Sequence, residues 1–284
     1  MVRHAVILSA GLGTRFLPFT KAIPKPMLPI IDTPAIEYII KEALESDINN
    51  ITIVVGANGD VIRRHFSVNK HLDFSKLTAE LREKIAFSDN VKINFATQYI
   101  LDGTAGAILE AREFVEGNPF LVMNADELFV RENASDAPVS KQLITAFEDS
   151  NKCVVGVKRV SIPEASRLGV VVGEKIDERR TILRKIVEKP NACDIADPLV
   201  NLGRYVVKPD IFPMLENVLP NKNGEKALTD ALVDYAKTED ILCYNFVGKR
   251  YDIGNKESYM RAMFDFSMFD PRFERFARKR LLLD

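Results

Sequence analysis

The chain has 284 residues, 46% of them hydrophobic and 28% charged, and a formal net charge of −1. That size and balance fit a globular protein built as one large α/β domain, or as a domain with a small appendage. A near-neutral chain offers no global field for nucleic acid or an anionic membrane, so neither is expected as a partner, and any polyphosphate must be held by local charges. Cys153, Cys193 and Cys243 are odd in number and far apart, with neither zinc spacing nor a disulfide framework, and read as reduced thiols in a cytoplasmic protein. No apolar run approaches the ~20 residues needed to span a bilayer. A strand starts almost at the N-terminus, so no signal peptide is expected.

Ala5 to Ser9 reads as a buried parallel strand that runs straight into Ala10-Gly11-Leu12-Gly13-Thr14-Arg15. Glycines at this spacing let the backbone turn tightly and bring its N–H groups against an anion. Arg15 adds a permanent, forked positive charge. Lys25 lies between Pro24 and Pro26, on a stiffened backbone. A loop, a guanidinium and a fixed lysine together suit a polyphosphate. Two familiar loops are excluded: no Gly-Lys-Ser/Thr ending follows Gly13, and Phe16 stands where a dinucleotide fingerprint needs its third glycine.

Pro34 opens a helix with Ile36, Ile39, Ile40, Ala43 and Leu44 on one face. Residues 51–55 form a second buried strand, 60–66 a short helix, and 67–90 a polar excursion with helical character. Strands at 91–97 and 120–123 enclose a helix at 105–115. Further on, strands are expected at 153–160, 169–176, 181–188, 200–207 and 241–248, and helices at 209–219, 228–237 and 255–269. The early βαβ rhythm predicts a Rossmann-like, doubly wound sheet, mainly parallel, to which the second half adds antiparallel strands. No flexible linker appears, so residues 1–284 are expected to form one domain.

Ligands of open α/β sheets bind outside the carboxyl ends of the strands. That rule brings Asn124-Ala125-Asp126, after the strand at 120–123, to the loop at 11–15. Asp126 there is either a Mg²⁺ ligand, completed by phosphate oxygens and water, or a turn cap. Asp252, in Tyr251-Asp252-Ile253-Gly254-Asn255, is either a second carboxylate ligand or part of a helix N-cap region. Glu188 and Lys189 would face opposite sides of an extended segment that Pro190 ends. By themselves they read as a solvated pair.

The string Gly11-x-Gly13-Thr14-Arg15-x-x-Pro18-x-Thr20-Lys21-x-x-Pro24-Lys25 resembles the signature of the sugar-1-phosphate nucleotidylyltransferases. With Lys21-Ala22-Ile23-Pro24-Lys25 and Met27-Leu28-Pro29 it is similar to their bacterial UTP–glucose-1-phosphate uridylyltransferase branch. The resemblance runs from Ala5 to about Met263 and is weakest over 60–95. It implies a nucleotide-binding half, about 1–130, that uses Ala10, Gly11, Gly13, Thr14, Arg15 and Lys25. Asp126 and Asp252 match the metal carboxylates. The sugar-binding part, about 131–284, would use Gly169, Glu188, Lys189 and Gly203, with Asn201-Leu202-Gly203-Arg204-Tyr205 closing the pocket. Gln98 and Gly103 would read the base, since a glutamine amide can pair with a pyrimidine edge as donor and acceptor together. The loop reads Gly103-Thr104-Ala105-Gly106-Ala107 where the branch has Gly-Leu-Gly-His-Ala. Ala125 replaces a usual proline and Pro26 a usual glutamate.

The reaction implied is attack by glucose 1-phosphate on the α-phosphorus of UTP, with Mg²⁺ as cofactor and pyrophosphate as leaving group. A phosphate monoester has its second pKa near ~6, so the nucleophile needs no base. Arg15, Lys25 and Lys189 carry catalysis by positioning and charge neutralisation. His4, His65 and His71 fall outside every motif and receive no role. Alternatives are a thymidylyl- or cytidylyltransferase of the same fold and a catalytically weak regulatory relative. A nicotinamide oxidoreductase is disfavoured by the missing third glycine. The apolar load of residues 259–283, which no single helix stripe can bury, predicts a homodimer or homotetramer.

Overall fold

The apolar run at the start of the chain becomes an interior strand because both its faces are covered. Alternate residues point to opposite sides. Ile7 joins one buried cluster with Ile53 and Met123, while Val6 joins another with Val54 and Val122. The computed structural model describes residues 1–67, 73–85, 92–115 and 117–281. His71, Val91, Leu282 and Leu283, and parts of the excursion at 67–90, lie outside the described residues. Of that excursion, a 3₁₀ turn at Phe74–Lys76 and a helix at Ala79–Ile85 are described.

The strands are β1 (His4–Ser9), β2 (Pro29–Ile30), β3 (Thr33–Pro34), β4 (Asn50–Val55), β5 (Lys92–Thr97), β6 (Phe120–Asn124), β7 (Glu127–Val130), β8 (Cys153–Arg159), β9 (Gly169–Lys175), β10 (Arg180–Glu188), β11 (Leu199–Val207), β12 (Ile241–Asn245) and β13 (Lys249–Asp252). Nine of them form one sheet in the order β5-β4-β1-β6-β11-β8-β12-β10-β9. β5, β4, β1 and β6 are parallel to one another, with Ile7 opposite both Ile53 and Met123. From β11 onward the pairings are antiparallel, apart from β8 with β12. The sheet is therefore mixed, as expected, but not mainly parallel: four neighbouring pairings along it are parallel and four antiparallel. Helices Ala35–Leu44 and Val139–Ser150 cover one face, where Ile36, Ile39, Ile40, Leu143 and Ile144 are buried. Helices Thr104–Leu109, Phe212–Asn217 and Leu228–Tyr235 cover the other.

Some boundaries differ from the sequence reading. The helix expected at 105–115 is two, Thr104–Leu109 and Arg112–Val115, because the Ala111 N–H turns back to Ile108 O and closes the first. The strand expected at 241–248 stops at Asn245. The chain then leaves the main sheet, and β13 pairs with β7 in a separate two-stranded ribbon. The helix Val139–Ser150 was not anticipated, although Val139, Leu143, Ile144 and Phe147 carry its amphipathic signal. The ribbon matters most for function. Asp252 lies opposite Glu127, and the Ile253 N–H bonds Asp126 O at 2.9 Å, so two loops far apart in sequence are stitched together.

Candidate active site

The carboxyl ends of β1 and β6 open into a cavity of about 1530 Å³. Ala10, Gly11, Gly13, Thr14 and Arg15 form one side of its wall, with Lys25 beside them. Gly13 has φ of 64°, a left-handed conformation that glycine adopts without steric cost. The Gly13 carbonyl accepts from Phe16 N (2.9 Å) and Thr20 Oγ1 (2.8 Å), which closes the loop. Lys25 Nζ donates to Asp126 Oδ2. Burial raises the Asp126 carboxyl, but the charge of Lys25, its hydrogen bond and the Arg250 guanidinium outweigh it and hold the group below the usual carboxylate range.

Gly254 joins these parts. Its N–H donates to Asp252 Oδ1 at 2.8 Å and its carbonyl accepts from Arg15 Nη1 at 3.2 Å. A Cβ at this position would lie 2.9 Å from Asp126 Oδ2, 2.9 Å from Asp252 Oδ1 and 3.3 Å from Lys25 Nζ. Two carboxylates therefore converge on one small space that only the missing side chain leaves open. Among the described residues no group of three or more His, Cys, Asp or Glu could hold a metal. Two convergent carboxylates do suit an ion that takes one or two of them and fills its shell with phosphate and water. The N-cap role open to Asp252 falls instead to Asn255, whose side chain accepts from Ser258 N.

Across the cavity, Gly169 at the start of β9 faces Glu188 at the end of β10 and Asn201 in β11. A Cβ on Gly169 would meet Glu188 Oε2 at 3.1 Å and press still closer on Asn201 Oδ1. Lys189 departs from the expected extended geometry. It has φ of 46°, with its N–H bonded to Leu168 O at 3.0 Å. The turn brings Glu188 and Lys189 to the same cavity wall rather than to opposite faces. A non-glycine residue held there costs ~1–3 kcal/mol, strain of a kind that clusters at functional sites. Gly203 also lines the cavity. Tyr205 lines it too; burial and then the Glu127 carboxylate push its phenol well above its ordinary range, and its hydroxyl accepts from Asn201 Nδ2.

Gln98 is buried behind the wall. Its Nε2 donates to Asp102 Oδ1 and to Gly103 O, both at 3.0 Å, so this amide nitrogen holds the loop at 103. Gly103 (φ 106°) lines the cavity and packs on the backbone of Lys226. The unusual Gly-Thr-Ala-Gly-Ala segment has its own partners. Thr104 Oγ1 accepts from Leu228 N at 2.8 Å, and Gly106 leaves room for the Asp102 carboxylate. Several lining residues were not anticipated: Ser9, whose buried hydroxyl has no partner among the described residues, Arg167, Lys222 and Gly254. Their part depends on chain segments meeting in space, and no local motif marks them. His4 and His65 lie off the cavity wall, and His65 pairs with Glu37 instead.

A family model described as nucleotidyl transferase matches residues 4–267. The chain belongs to this family. UTP–glucose-1-phosphate uridylyltransferase 2 of Streptococcus pyogenes serotype M3 is 37% identical to it over 95% of this chain and 92% of its own length. A UDP-glucose pyrophosphorylase solved in complex with UDP-glucose superposes with a TM-score of 0.86 at 33% identity, covering 95% of this chain and all of the other. The UTP-bound UGPase of Acinetobacter baumannii gives 0.89 at 28% identity over the full length of both chains. Ala10 to Arg15, Asp126 and the Glu188–Lys189 turn thus line one cavity, while Asp252 stands off its wall, bonded to the lining residue Gly254.

Proposed function

We propose that this nucleotidyl transferase converts UTP and glucose 1-phosphate into UDP-glucose and pyrophosphate, with Mg²⁺ held by Asp126 and Asp252. The observation that carries the reading is the convergence of those carboxylates and Lys25 on the space beside Gly254, in a cavity that residues 10–15 and Lys189 also line. The names of these relatives support the choice of substrates, and the nine-stranded sheet common to both halves supports one domain. Mg²⁺ would neutralise phosphate charge. Arg15 and Lys25 receive the triphosphate, Lys189 the sugar phosphate, and Glu188 the sugar hydroxyls. Gln98 shapes the base pocket through Gly103. Pyrophosphate release measured with four triphosphates and several sugar phosphates tests the reading. UTP with glucose 1-phosphate should be fastest. A much faster rate with another triphosphate overturns the uridylyl assignment, and no turnover with any pair favours a regulatory role.

The two lysine and arginine roles separate kinetically. Lys189→Ala should raise the KM for glucose 1-phosphate and lower kcat, because Lys189 touches the nucleophile before reaction. Arg15→Ala should fall chiefly on kcat, because charge builds on pyrophosphate as it departs. The reverse pattern would contradict these roles.

A homo-oligomer is part of the same reading. In helix Lys256–Phe269, one stripe, Tyr259, Met263 and Phe266, packs on the chain's own core, and Phe266 meets both Tyr38 and Tyr251 edge-on. A second stripe stays outside: Met260 and Phe264 are half exposed, and Phe276 in the next helix is 70% exposed. Light scattering should give a multiple of 32.0 kDa, the mass of one chain. Phe264→Lys with Phe276→Lys should dissociate it without disturbing Phe266. A clean monomer in the parent protein would refute self-association.

A further inference from the structure

Arg204 is the largest fully buried side chain among the described residues, and it does not line the cavity. A guanidinium has five N–H donors and cannot be deprotonated to ease its burial. Every donor is used. Nε faces both oxygens of Glu42 (3.2 Å each), and Nη2 reaches Glu42 Oε2 (2.7 Å) and Glu127 O (2.9 Å). Nη1 reaches Asn124 O (3.3 Å) and Gly203 O (2.8 Å). The Phe129 ring lies 4.6 Å away, over the guanidinium. Asn124 and Glu127 are the two ends of the short turn that carries Asp126. Glu127 in turn accepts from Asn124 Nδ2 (3.2 Å), Gly203 N (3.3 Å) and Arg250 Nε, and Arg250 Nη2 stands 3.7 Å from Asp252 Oδ2.

Resting on the site reading above, we propose that Arg204 is a positioning residue for metal binding: it clamps both ends of the Asn124–Glu127 turn, so that Asp126 is held toward Asp252 without Arg204 meeting any ligand. A core ion pair with Glu42 alone would need no contact with those carbonyls. The geometry spends two of five donors on them and a third on Gly203 O. Groups that orient metal ligands in this way typically change affinity or activity 10- to 100-fold when lost.

The test separates clamp from core. Removing one member of a buried pair strands the other, whereas removing the charges together is often tolerated. The double variant Glu42→Gln, Arg204→Met removes both charges and keeps an acceptor for Ser140, which bonds Glu42 Oε1. Arg204→Lys, which keeps the charge but has too few donors for Glu42 and three carbonyls, is the second variant should the first not fold. Mn²⁺ binding to each folded variant, read by electron paramagnetic resonance of the free ion, should weaken by about 10- to 100-fold. The melting temperature should fall, because buried carbonyls lose donors, but each variant should remain folded at the temperature of the binding measurement. The metal concentration that half-activates turnover should rise in parallel. Parent-like Mn²⁺ affinity in a folded variant overturns the proposal. Asp126→Ala is the control: if it too binds Mn²⁺ like the parent, the metal-site reading has failed rather than the clamp.

Discussion

Asp126→Ala is expected to lower metal-dependent turnover by ~10²–10³-fold or more, the scale on which loss of one preorganised charge contact is felt. The geometry explains why a neighbour cannot replace it. Asp126 and Asp252 are the two carboxylates beside Gly254, and the space between them is too small for a side chain. Lys25 would lose its partner and remain a mobile cation in the wall, so two groups are displaced by one substitution. Asp252→Ala should be comparably damaging. It also removes the acceptor of the Gly254 N–H, and Gly254 O is what Arg15 rests on. The fold should survive, because the Lys25–Asp126 pair is partly open to solvent and such pairs contribute ~1 kcal/mol or less. Circular dichroism with pyrophosphate release across a Mg²⁺ titration is the measurement. Near-normal rates and metal dependence would remove the residue from the site. The pH dependence follows the same geometry. The Asp126 carboxyl is held below its ordinary range, so any stability it contributes is present above the unfolded-state pKa and fades only as acid protonates the folded state.

Gly254→Ala should be nearly as harmful, about 100-fold in turnover, although it removes no functional group. Gly254 does not have a positive φ, so its backbone conformation does not demand glycine. The added methyl instead arrives 2.9 Å from both carboxylate oxygens and 3.3 Å from Lys25 Nζ. Real Cβ atoms essentially never approach so closely, so Asp126, Asp252 or Lys25 must move. The expected signature is a large fall in kcat and in Mn²⁺ affinity with a small change in melting temperature. A melting temperature that collapses while residual activity tracks the folded fraction would mean that the glycine serves the fold. Parent-like turnover would show that the carboxylates do not act together.

The legible part of this protein was what local chemistry announces. Gly13 needs its left-handed φ whatever the rest of the chain does, and the apolar strand before it needs burial on both faces, so the loop and the strand could be read from Ala5 to Arg15. The stripe Ile36, Ile39, Ile40 had one way to pack. Asp126 could be placed at a strand end by the apolar run Phe120 to Met123 that stops just before it. Glu188 and Lys189 could be named but not oriented, because period-2 reasoning assumes an extended chain and Lys189 turns over at positive φ. Gln98 could be named as well, but not its orientation, which depends on Asp102 and Gly103 folding back over it.

What the sequence by itself determined is the chemistry available: a glycine-rich loop, fixed cations, two carboxylates and strands enough for a mixed sheet. The tertiary structure alone decided which of these groups meet. The ribbon of β7 and β13 carries Asp252 to Asp126 across more than a hundred residues of chain. Arg204 is buried to hold the turn between β6 and β7, and Gly254 is left bare so that three charged groups fit one space. Close approach across the sheet leaves no periodic trace in a sequence, because each partner satisfies its own local rules and the distance between them belongs to neither.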